Sequence, residues 1–250
     1  MTTATLLRSP ARGFALPTVS VGRREPSILR AVPTATAGSI AAPGASASAG
    51  LVATVASVPP IVLLHLNAPA GLSAERTTIS DFVITSHFGV PLFAATAGTL
   101  ALAAVALARG WARAIGGPAV RALLVVWALA LVTAAVFPTN PLGTPETVSS
   151  TIHLIAGGVV FATLPTAGVL CWKMLLAQQG HSSSSTTVLV ASAASGLLSA
   201  ALILNRLPGM VGLDELMLPA GMLQRAAGAA EIILLAILLL TTLQVARRRA

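Results

Sequence analysis

Residues 226–246 read AAGAAEIILLAILLLTTLQVA and run directly into Arg247, Arg248 and Arg249. A helix rises about 1.5 Å per residue, so about 20 apolar residues span a hydrocarbon core about 30 Å thick. Buried strands end near eight residues, which excludes a strand here. Five more windows of this kind lie upstream, at 49–68, 88–108, 119–137, 152–172 and 187–205. The chain therefore reads as all-α, an integral membrane bundle of six transmembrane helices over 49–250, behind a tail at 1–48.

Composition agrees with lipid as part of the solvent. Of 250 residues, 55% are hydrophobic and only 9% charged, with a mean hydropathy of +0.88. Soluble domains carry about 25% charged residues. Ala, Leu and Val dominate, and such small side chains suit close helix packing in lipid. The net charge of +8 does not point to nucleic acid, because the arginines cluster between uncharged runs. Cys171 is the single cysteine, so no intrachain disulfide or paired-cysteine metal motif can form.

The tail holds Arg8, Arg12, Arg23, Arg24 and Arg30 with only Glu25 as an acid, and its Ala, Ser, Thr, Pro and Gly content predicts disorder. Arg-rich, acid-poor tails also serve as transit peptides. The first window contains Pro59-Pro60 and His65, and cleavage near Ala68-Pro69-Ala70 would leave five spans. With six, Arg109, Arg113, Arg121, Lys173 and Arg247–Arg249 join the tail arginines on one side. That gathers twelve of the 15 basic residues there, with Arg76, Arg206 and Arg225 opposite. The positive-inside rule makes the richer side, and both termini, cytoplasmic in the cell membrane. Glu75, Asp81, Glu146, Asp214, Glu215 and Glu231 all fall at or near the outer face.

Polar candidates gather at that face. In Thr77-Thr78-Ile79-Ser80-Asp81, either Ser80 or Asp81 caps a helix start, or Ser80, Asp81 and the following His87 line an outward pocket. The turn Phe137-Pro-Thr-Asn-Pro141 precedes His153. Leu213, Leu216 and Met217 have the spacing of an interfacial helix, whereas His181–Thr187, with four consecutive serines, reads as a flexible loop. Ser192, Gly196 and Ala200 make a ridge of small residues. Glu231 lies about 8 Å inside its apolar window. A carboxylate there costs about 2.5–3.5 kcal/mol, so it needs a protein partner, for which Arg225 or a histidine is the natural candidate. No phosphate loop, nucleophile elbow or dinucleotide fingerprint occurs, no span pairs histidines as haem requires, and no cofactor is indicated.

Three segments together resemble the domain of unknown function 998 family: Ile79-Ser80-Asp81, Phe137–Pro141 with Gly143-Thr144 and His153, and Gln224-Arg225. The resemblance covers about residues 50–246 and implies a bacterial or archaeal six-span membrane protein, with an actinobacterial source fitting the Ala- and Arg-rich composition. The family's turn typically carries Asp where this chain has Asn140, and a small residue before the histidine where Ser149-Ser150-Thr151 stands. Losing that carboxylate weakens a metal or acid–base role there.

Three functions are compatible with these residues. The leading expectation is a non-enzymatic membrane protein whose outward pocket binds a lipid headgroup or small solute through Ser80, Asn140, Gln224 and Arg225. A membrane-embedded hydrolase, with or without a metal, would use Asp81, His87, His153 and Glu231. A small proton-coupled transporter would pair Glu231 with Arg225.

Overall fold

In hydrocarbon no water is available to backbone N–H and C=O groups, so each apolar run must satisfy them internally as helix. The computed structural model describes residues 43–141, 144–210 and 218–250. Its regular elements are helices: α1 (Pro43–Ala56), α2 (Val58–Leu66), α3 (Ile79–Thr85), α4 (Gly89–Ala114), α5 (Pro118–Val136), α6 (Val148–Gln179), α7 (Ser183–Met210) and α8 (Ala220–Arg249). Taken together as Pro43–Leu66, α1 and α2 make one span. With α4, α5, α6, α7 and α8 they give six helices long and apolar enough to cross a membrane. The chain is a multi-pass membrane protein.

The first span bends where its sequence says it must. Pro59 and Pro60 offer no N–H to the carbonyls four residues back, and a proline ring clashes with that turn. The helix accordingly stops at Ala56 and restarts at Val58, with the prolines in the first turn of α2. Between them the Ser57 hydroxyl donates to the Thr54 carbonyl at 2.6 Å. Residues 1–42 of the expected tail lie outside the described residues, but Pro43 already opens α1. Proline suits a first helical position. The small residues after it pack by closeness rather than bulk: Ala47 is fully buried, and the Pro43 carbonyl lies near Gly110 of α4.

Six helices meet in a ring, α1 to α4 to α5 to α6 to α7 to α8 and back to α1, and α8 also touches α4 and α6. Of its apolar window 44% is buried, more than in any other span, in keeping with its contacts to α1, α4, α6 and α7. The ridge on α7 meets α6. A Cβ on Gly168 would come within 2.2 Å of the Ser192 Oγ, and one on Gly196 would touch Pro165.

The serine run differs from the expected loop. The Ser182 N–H donates to the Ser185 Oγ at 2.9 Å and the Ser185 N–H to the Ser182 Oγ at 3.2 Å. This reciprocal pair satisfies two donors at a helix start, so α7 begins at Ser183. The interfacial helix expected around Leu213–Met217 lies outside the described residues.

Candidate functional site

Two short segments shape the end of the bundle that carries α3. The first is the α3 start, where capping falls to neither of the two expected residues alone. Thr78 is the N-cap, its Oγ1 accepting from the Asp81 N–H, while the Asp81 carboxylate accepts from the Thr78 N–H at 3.0 Å and hydroxyl at 2.6 Å. Asp81 is thus committed to the cap, and Ser80, one position earlier, is not.

The second is the turn from 137 to 147. Thr147 caps α6 in a reciprocal pair with Ser150. The Thr147 hydroxyl donates to Asn140 Oδ1 at 2.8 Å, Asn140 Nδ2 donates to the Pro145 carbonyl, and the Ser149 hydroxyl donates to Pro138 at 2.8 Å. Asn140 uses both faces of its amide, one accepting and one donating. An aspartate could not donate, which accounts locally for Asn in this chain.

His153, on the first turns of α6, joins these segments. Its Nδ1 lies 2.8 Å from the Ala134 carbonyl and 2.9 Å from that of Phe137, both at the end of α5. Its Nε2 lies 2.9 Å from Ser80 Oγ. Gln224 of α8 closes the group by accepting the Ile79 N–H on Oε1 at 2.6 Å.

Around these residues lies a cavity of about 570 Å³. Its polar lining includes Ser80, Asp81, Asn140, Glu146, His153, Arg206 and Gln224. Leu154, Ile155, Gly157, Gly158 and Phe161 of α6 and Leu202 and Ile203 of α7 line the rest. Gly157 and Gly158 leave room, since a Cβ on either would meet nothing within 4 Å. Ile155 lines the cavity and is also 61% exposed, and the lining residues Pro141, Thr144 and Glu146 of the preceding connection are exposed as well.

Three candidates stand elsewhere. His87 is exposed, its ring against Phe88. Arg225 ties α8 to the preceding elements: its Nε donates to His65 Nε2 at 2.9 Å, one terminal nitrogen donates to the Thr77 and Gly221 carbonyls, and its guanidinium sits 4.7 Å from the Phe82 ring centre. Gly221 permits this approach, because a Cβ there would collide with the carbonyls of Ala74, Glu75 and Thr77.

Glu231 is 3% exposed, and the expected pairing with Arg225 or a histidine does not form. Its Oε2 accepts from Trp127 Nε1 at 3.3 Å, while Oε1 is buried without a hydrogen-bond partner. Six residues along a helix advance about 9 Å and rotate about 240° beyond a full turn, which carries Glu231 away from Arg225. Among the described residues no three His, Cys, Asp or Glu side chains converge as a metal would require.

Sequence patterns pointed toward part of what was missed. Thr78-x-x-Asp81 has the form of a capping box, which leaves the intervening Ser80 uncommitted. A glycine pair inside an apolar window, Gly157-Gly158, marks missing side-chain volume.

The family described as "Protein of unknown function (DUF998)" matches residues 48–241. No curated protein and no solved structure matches the chain.

Proposed function

This chain belongs to the DUF998 family, and we propose that its cavity holds an amphiphile of the bilayer. The polar headgroup lies against α3 and the 137–147 turn, and the hydrocarbon chain lies between α6 and α7. The observation that carries this is the division of the cavity itself. The polar lining, Ser80, Asn140, Glu146, Gln224 and Arg206 among it, comes from α3, the α5–α6 connection and the adjoining helix ends, and the apolar residues with the two glycines come from within α6 and α7. Its volume of about 570 Å³ falls in the range of ligand pockets, about 300–1,000 Å³. Ile155, which lines the cavity and is exposed within the α6 span, gives a lipid a way in from within the membrane.

The basic-residue split supports placing α3 and the cavity at the outer face, with both termini in the cytoplasm of a cell bounded by this membrane. Arg225 contributes indirectly in this account: it fixes the Thr77–Asp81 segment that presents Ser80.

Native mass spectrometry of protein extracted with its own lipids tests the proposal. The wild type retains an amphiphile of defined mass. A Gly157→Leu, Gly158→Leu variant loses it while remaining folded, because each side chain grows into open space. Equal retention by both proteins would contradict an occupant in this cavity.

A further inference from the structure

We propose that Ser80 is a nucleophile and His153 its general base, acting on a carboxylic ester of the amphiphile held in the cavity. This rests on the amphiphile-binding proposal above and names the chemistry done there.

Carbonyl oxygens only accept hydrogen bonds, and Nδ1 of His153 faces two of them, Ala134 and Phe137. Nδ1 therefore carries the proton, and the lone pair of the neutral ring sits on Nε2. Ser80 Oγ, 2.9 Å away, must donate to it. A hydroxyl within reach of a base, with that base oriented by a third group, is the arrangement that activates a weak nucleophile. Here the orienting group is the pair of carbonyls at the end of α5, which lack intrahelical partners as helix ends do.

Ser80 is available for this because Thr78 and Asp81 complete the α3 cap without it. It also lines the cavity, as does His153. Gln224 and Arg206 line the same space. The Gln224 oxygen is taken by the Ile79 N–H, so what this side chain can offer a ligand is its N–H donors. An acyl transfer requires a hydrogen-bond donor near the oxygen on which negative charge develops, and the Gln224 amide is one that can supply it.

The step balances without a metal or redox partner. Ser80 Oγ attacks the ester carbonyl carbon as its proton passes to His153 Nε2. The C–O bond to the alcohol portion breaks, and the Nε2 proton passes to the departing oxygen. Water then attacks the acyl–Ser80 ester, giving its proton to Nε2, and the acid leaves as Ser80 recovers a proton.

The test uses the full chain in mild detergent, treated with a long-chain alkyl fluorophosphonate that reacts with activated serines by losing fluoride. Intact mass and peptide mapping are expected to show one adduct, at Ser80, absent from Ser80→Ala and formed about 10²–10⁴-fold more slowly in His153→Ala. Native mass spectrometry of the same proteins before labelling reports amphiphile retention, which shows that each variant is folded. Wild type that keeps its amphiphile but gains no adduct, or gains one at another serine, overturns the nucleophile and leaves the binding proposal standing. An adduct at Ser80 with no retained amphiphile does the reverse. A His153→Ala variant that keeps its amphiphile and is labelled at the wild-type rate reduces His153 to a tie between α5 and α6 and overturns its role as base.

Discussion

Ser80 and Asp81 are adjacent in the chain, yet the first turn of α3 commits one to the cap and turns the other toward a histidine 73 residues away. Either role was legible for either residue, because capping and site chemistry draw on the same side chains. The choice depended on Thr78 and on His153, and the second partner comes from another span. Glu231 shows the limit more sharply: its depth in an apolar run announced a partner, but that partner is Trp127, which has no charge to advertise it. Asn140 carries a prediction of its own. Asn140→Asp exchanges an N–H donor for a carboxylate oxygen facing the Pro145 carbonyl at an exposed site, and is expected to lower stability by about 0.5–1.5 kcal/mol. Thermal unfolding in detergent checks this; an unchanged Tm would mean that the turn does not depend on the amide.

Spans were readable as elements because hydrocarbon thickness sets their length, and the proline pair marked the one that breaks. Helix starts were read less well. Four serines in a row resemble a flexible loop by composition, but two of them at the right spacing cap each other and begin α7. Within α6 the glycines divide by what faces them. Gly157 and Gly158 border the cavity, whereas Gly168 lets α7 approach so closely that an added Cβ would collide with Ser192 and press on Leu234 of α8. Gly168→Val forces that crossing apart and should cost about 1–3 kcal/mol, read as a lower Tm. A valine tolerated there without loss would show that the α6–α7 contact is not set by this residue.

For the whole molecule, the sequence conveyed the number of spans and an expected direction for them, but not the ring order, the greater burial of α8 or a cavity at one end. Ring order depends on which apolar faces meet, and Ala, Leu and Val faces look alike from sequence. The direction can be checked with thiol labels, since Cys171 is buried. Leu142→Cys should react with a membrane-impermeant maleimide added outside intact cells, and Ser183→Cys should not; the opposite pattern would put the cavity at the cytoplasmic face. The occupant of the cavity is the central claim, and lipid also bathes the exposed faces of every span. A phospholipid bearing a photoactivatable acyl chain separates the two. Illuminated in native membranes, it should cross-link chiefly to the α6 stretch Leu154–Phe161 and to Leu202 and Ile203 on α7. Cross-links spread evenly over outward residues such as Val52, Leu66, Leu102 and Leu129, with none concentrated on α6 and α7, would contradict it.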